Sequence, residues 1–362
     1  MQIRRVLALC LTATLVASGS LVLAQGGGKD NKQQQQPKRS KTEQADVEAL
    51  VKLVDGVSAG TQPAPTDIPL TWESNHFVKG QDGMTYVPFT VTVDRSKLAS
   101  PNIALYLRVM NSGAAPAPPP TAATDPAKGG DKGGDKNQPP PRVTYPWDTI
   151  HFIEIPADGK LSRAIALKPG KYDAFVALKD KGTDQKNAPP AKMGLVKHEV
   201  TVPDFSVAEL TTSSVILAKS VEPVQGTLSQ AQQEANPYTF GPMKIVPSPD
   251  GKFAKGAELQ VIFWIYGASA AASGKPDVQV EYNFHQRLPE GEKYFNKTAP
   301  QQLNAETLPP EFSVAAGHQL PGSLVVPLAS FPVGDYRLEI KVTDKPSSKS
   351  VTQNVNFSVL AS

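Results

Sequence analysis

The sequence predicts an all-β protein made of two β-sandwiches in tandem, and three observations carry that prediction. The run ALKPGKYDAFVALKDK from Ala166 recurs 164 residues later as SFPVGDYRLEIKVTDK from Ser330, with Gly170 over Gly334, Tyr172 over Tyr336 and Asp180 over Asp344. Alternate residues in both runs are apolar (Tyr172, Ala174, Val176, Leu178; Tyr336, Leu338, Ile340, Val342), the period of a strand with one buried face. Five strand-like segments also keep one order in both halves. YVPFTVTVD, NIALYLRVM, LSRAIAL, GKYDAFVAL and VKHEVTV correspond to AELQVIFWIYG, DVQVEYNFHQ, SLVVPLA, GDYRLEIKV and VTQNVNFSV.

The amino terminus comes first in the chain. Met1-Gln2-Ile3-Arg4-Arg5 is followed by an apolar stretch to Ala24 that ends in small residues, the pattern of a secretory signal peptide over 1–24. Uncleaved, that stretch would be the chain's one membrane contact, since it approaches the roughly 20 residues that span a bilayer. The only cysteine, Cys10, lies inside it and follows Leu9, where lipidation would need a small residue. The mature chain is therefore expected to enter a periplasmic or extracellular compartment with no disulfide to form. Residues 25–41, with Gly26-Gly27-Gly28 and Gln33 to Gln36, are too poor in apolar groups to pack and read as a disordered linker. Val47, Leu50, Val51, Val54 and Val57 then mark one face of a short amphipathic helix over 42–60, with Thr42 as its N-cap and Gly60 as its stop, docked on the first sandwich.

The first sandwich is expected over 61–203. Its strands begin at Leu70 and include a run through Val87, Phe89, Val91 and Val93, in which Pro88 points to a sheet edge. Residues 111–146 interrupt it with Pro clusters and a Lys-Gly-Gly-Asp repeat, a disordered insert between strands. Strands resume at Ile150 to Ile155, Leu161 to Leu167, Tyr172 to Leu178 and Val196 to Val202. The second sandwich is expected over 204–362, with early strands near Ser214 to Ala218 and Met243 to Val246. About seven strands in roughly 150 residues is the count of an immunoglobulin-like or fibronectin-like sandwich. The Gly-x-Tyr that opens each repeated strand suits that class, because such a tyrosine buries its ring and returns its hydroxyl to nearby backbone.

The second copy resembles β-rich segments of secreted acidobacterial proteins that accompany GWxTD-type and von Willebrand A-like modules. The resemblance rests on FAKGAELQVIFWIYG from Phe253 and FPVGDYRLEIKVTD from Phe331. It implies an extracytoplasmic β-sandwich. The GWxTD signature and the Asp-x-Ser-x-Ser motif are absent from this sequence, so neither module's function is implied.

Motifs for chemistry are missing. The formal charge of +3 includes Arg4 and Arg5, and a near-neutral chain offers no clustered cations for nucleic acid. There is no Gly-x-Ser-x-Gly elbow, His-Glu-x-x-His helix or phosphate loop. The five histidines are scattered; His151 and His198 fall on apolar faces of strands read as neighbours, half of a metal site at most. No catalytic, cofactor or metal residue is assigned. Paired carboxylates converging only in three dimensions are the one enzymatic arrangement left open.

One strand stands out. From Leu259, one face carries Leu259, Val261, Phe263 and Ile265, while the other carries Ile262, Trp264 and Tyr266, so both faces are apolar and the second must be covered. The neighbouring domain or the segment from Tyr294 to Leu308 would cover it structurally. Functionally, Ile262, Trp264 and Tyr266 would form a surface for a partner protein or a polysaccharide. The expected function is a non-enzymatic binding or scaffolding protein that contacts an envelope or secreted protein, with a carbohydrate-binding module as the alternative.

Overall fold

The computed structural model describes residues 39–113, 144–180, 191–226 and 228–361. The expected signal peptide with Cys10, the linker up to residue 38 and the insert over 114–143 lie outside them. The described residues divide into two compact units, 39–204 with 230–237, and 205–229 (bar 227) with 238–361.

The N-terminal unit contains α1 (Lys41–Ser58), β1 (Leu70–Asn75), β2 (Val78–Lys79), β3 (Thr85–Val93), β4 (Asn102–Asn111), β5 (Trp147–Glu154), β6 (Lys160–Leu167), β7 (Gly170–Asp180) and β8 (Met193–Val202). One sheet sets β3 between β6 and the pair β1 and β2; the other runs β5-β4-β7-β8. The inward rows of both, Val87, Phe89, Val91, Leu105, Leu107 and Val176 among them, close into one apolar core. Pro88 is not at a sheet edge. It sits inside β3, opposite Ala164 of β6, where β1 pairing stops at Phe89 and β2 pairing starts at Tyr86. Its missing N–H coincides with that break.

The C-terminal unit contains β9 (Thr211–Thr212), β10 (Ile216–Pro223), β11 (Thr239–Phe240), β12 (Met243–Pro247), β13 (Lys252–Ala254), β14 (Glu258–Tyr266), β15 (Val278–Leu288), β16 (Gly291–Lys297), β17 (Gln301–Leu303), β18 (Leu320–Pro327), β19 (Gly334–Asp344) and β20 (Lys349–Leu360). One sheet runs β11-β12-β10-β14-β18, the other β13-β20-β19-β15-β16. The short helix α2 (Gln230–Ala235) groups with the N-terminal unit, where Tyr86 Oη donates to the Pro237 carbonyl at 2.8 Å.

The two units repeat one plan. The β3·β6, β4·β7 and β7·β8 pairings recur as β14·β18, β15·β19 and β19·β20, all antiparallel. Register repeats as well: Asp180 lies opposite Ile103 as Asp344 lies opposite Val278, and Tyr172 opposite Val200 as Tyr336 opposite Phe357. Both tyrosines are buried, and both return the hydroxyl four residues back, to Lys168 O at 2.9 Å and to Pro332 O at 2.8 Å. Gly170 at φ 157° and Gly334 at φ 146° open these strands in a conformation that favours glycine. A Cβ at Gly170 would also stand 3.3 Å from the Tyr172 ring. Tyr172→Phe and Tyr336→Phe are each expected to cost about 1–2 kcal/mol, the hydrogen bond plus an orphaned carbonyl. Urea unfolding of the two variants beside the parent checks it.

Candidate binding surface

The outer face of β4 and β7 in the N-terminal unit is apolar, and α1 covers it. Ser40 caps that helix: its Oγ accepts from Glu43 N at 3.1 Å while Glu43 Oε2 accepts from Ser40 N at 2.9 Å. This reciprocal box displaces Thr42 from the expected cap, because Ser40 has Glu in the required third position. Leu50, Leu53 and Val54 pack on Ala104, Tyr106, Met110, Phe175, Ala177 and Leu195. Two ion pairs flank this contact, Asp46 with Lys179 and Asp55 with Arg108. Arg108 is itself buried between rings, 4.1 Å from the Tyr145 centroid and 5.1 Å from that of Tyr106, and donates from Nε to Tyr106 Oη at 2.7 Å. Burial works against its charge, but the hydrogen bond to Asp55 and the neighbouring oxygens outweigh it and raise its pKa.

The other buried carboxylates hold loops. Asp180 Oδ2 accepts from Ala99 N at 3.4 Å and Asp344 Oδ2 from Ser269 N at 3.2 Å, each fastening the loop that leads into β4 or β15. The matched aspartates of the two repeats therefore do the same structural work. Burial raises the pKa of Asp180, opposed by that backbone bond and by Lys192 and Lys179. The cavity bounded by Trp72, Phe89, Leu107 and Ile165 has a volume of about 10 Å³, the lower limit for one water.

His151 and His198 do not lie on adjacent strands. They sit on β5 and β8, the opposite edges of one sheet, because β4 and β7 pair between them. His198 stacks on Trp72 at 4.5 Å between centroids, with Phe89 on the other side of that ring at 4.4 Å. Among the described residues no three His, Cys, Asp or Glu side chains converge as a metal site would. His76, between β1 and β2, has its pKa pushed down by burial from 6.5 to about 4. Between those values the unfolded chain binds more protons than the folded one, so stability falls as pH drops from 6.5 towards 4. The loss attributable to His76 is expected to be about 1–3 kcal/mol, and His76→Gln should flatten that slope in urea titrations across the window.

Ile262, Trp264 and Tyr266 lie on β14 and are each 6% exposed. Phe240 packs on Trp264 at 4.7 Å and Phe205 on Tyr266 at 5.1 Å, both tilted. These two phenylalanines pack on Trp264 and Tyr266 of the strand's second face. The segment from Tyr294 to Leu308 does not, because its strands β16 and β17 pair with β15 in the other sheet. At these three positions, expected as a surface for a partner protein or a polysaccharide, the side chains are buried and the two rings are packed.

The open surface lies elsewhere. In the C-terminal unit the face equivalent to the α1 seat is polar: Gln279, Glu281, Asn283 and His285 stand where the first unit has Ala104, Tyr106, Arg108 and Met110. Arg337 donates to Glu292 at 2.8 Å, Glu339 at 3.2 Å and Asn354 at 2.6 Å, and Arg287 donates to Glu292 at 3.1 Å. Those bonds lower the pKa of Glu292, first through Arg337 and then Arg287. Tyr294, on edge strand β16, is 53% exposed beside His285, with ring centroids 5.9 Å apart. Sequence reasoning missed this face because a strand with polar residues on its outer side gives no motif.

No protein-family model and no curated protein matches the sequence. Among solved structures, trypsin-activated alpha-2-macroglobulin from Escherichia coli is similar over 83% of this chain, at 11% identity and a TM-score of 0.23. Salmonella alpha-2-macroglobulin reacted with methylamine is similar over 82%, at 12% identity and a TM-score of 0.20. This chain spans 17% of the length of each. Among the described residues no helix is long and apolar enough to cross a membrane.

Proposed function

We propose that this is a non-enzymatic extracytoplasmic protein that binds or scaffolds another envelope or secreted protein through the open sheet face of its C-terminal unit. The observation that carries the reading is the opposite treatment of one face in the two copies. In the N-terminal unit α1 covers it with buried leucines; in the C-terminal unit it is a polar surface bearing the Arg287, Glu292, Arg337 and Glu339 network and the half-exposed Tyr294. Linked side chains lose less freedom on binding than free ones, and an exposed tyrosine supplies a rigid contact. The secretory pattern over 1–24 and the absence of cysteine from the rest of the chain support the compartment.

A photoreactive residue at position 294 or 341, carried by the full chain in its native envelope, tests this. One reproducible protein neighbour is expected, with capture reduced roughly tenfold when Arg287→Glu is added. Recovery of no reproducible neighbour, or capture indifferent to that substitution, would overturn the reading.

A further inference from the structure

The edges of the C-terminal sheets are protected unequally. On β16 the register shifts between Phe284 and His285 of its partner, and Lys293 and Lys297 line the strand; β18 carries Pro321 and Pro327 near its two ends. Bulges, lysines and prolines are the usual guards against strand addition. β20 has none of them in its interior. It pairs with β19 without a break from Gly334↔Val359 to Asp344↔Lys349, and β13 covers only Ser358 to Leu360 on its other side.

The direction of its free groups follows from that cover. Ser358 donates its N–H to Gly251 O and Leu360 O accepts from Lys255 N, so even-numbered residues of β20 point their backbone groups away from β19. Ser350, Thr352 and Asn354 therefore present unpaired N–H and C=O groups along an exposed edge, continued by Asn356. From Ser350 to Phe357 the strand has no charged side chain.

We propose that β20 pairs with β20 of a second copy of this chain, antiparallel about a two-fold axis at Gln353. That register sets Thr352 against Asn354 and Ser350 against Asn356, each a residue with outward backbone groups, and Val351 against Val355. No like charges meet over this span. β13 on one copy and the turn over Lys345 to Ser348 on the other bound the joined segment, so the register has no room to slide. The contact is isologous and closes at two copies, joining the two C-terminal sheets into one. It does not depend on the partner proposed above.

The mature chain, studied by sedimentation at about 100 μM, is expected to show the mass of a dimer that dissociates on dilution. Thr352→Pro removes one outward N–H while leaving the β19 ladder whole, and should weaken self-association at least tenfold with unchanged circular dichroism. Gln353→Cys, in a mature chain otherwise free of cysteine, should give a disulfide-linked dimer. That crosslink decides the matter if the proline variant fails to fold. A parent that stays monomeric, or a dimer in which Gln353→Cys does not crosslink, would overturn the proposal; an edge used only by an extended strand of another protein would give the first of these results.

Discussion

Leu50→Asp is expected to detach α1 and cost the N-terminal unit about 3–5 kcal/mol. Leu50 is 0% exposed and packs in a cluster with side chains from β4, β7 and β8. Truncating such a leucine alone costs about 2–5 kcal/mol, and a carboxylate adds the penalty of an unpaired buried charge. The loss does not stop at one residue. Once the helix lifts, Lys179 and Arg108 also lose Asp46 and Asp55, so the two ion pairs go with the apolar contact. Hydrogen exchange reads the result: amides of β4 and β7 should lose protection and a hydrophobic dye should bind, while β15 and β19 stay protected. Equal loss in both units would contradict the assignment of α1 to the first.

Phe284→Ala should cost about 3–5 kcal/mol, the range for removing a buried aromatic ring. Phe284 is 1% exposed and meets Phe331 at 5.3 Å and Phe357 at 6.2 Å, both edge-on. Phe331, Phe357 and Phe295 also pack on Tyr336, so the cavity opens inside a ring cluster that cannot collapse without moving the tyrosine corner. Val109 occupies the matching place in the first unit, opposite Ala174 as Phe284 is opposite Leu338. Val109→Ala removes fewer atoms and should cost about 2 kcal/mol. Chemical denaturation of the two variants gives the comparison.

These contrasts explain which parts of the fold the sequence could show. β7 and β19 were legible because each alternates inward apolar residues from a Gly-x-Tyr start, a pattern local to about ten residues. β16 was not, since GEKYFNK lies at an edge with nearly every residue exposed and has no alternation to read. The reason that both faces of β14 are apolar was also out of reach. Phe205 and Phe240 pack on its second face from distant points in the chain, and no local period reports a partner so far away. Pro88 misled for the opposite cause: proline in a central strand is rare, and only the gap between β1 and β2 makes room for it.

Duplication of the sandwich, down to strand register, is the claim on which the rest stands, and engineered disulfides measure it. Lys171 faces Thr201 across β7 and β8 where Asp335 faces Ser358 across β19 and β20. Because Ser358 directs its N–H away from β19, the second pair is of the non-hydrogen-bonded kind that brings side chains close, and the first should match it. Lys171→Cys with Thr201→Cys, and Asp335→Cys with Ser358→Cys, are both predicted to oxidise rapidly within one chain. Partners moved by one residue, Val200→Cys and Phe357→Cys, should not, since they point into the core. Closure of either shifted pair, or failure of one predicted pair while the other forms, would contradict two copies of a single plan.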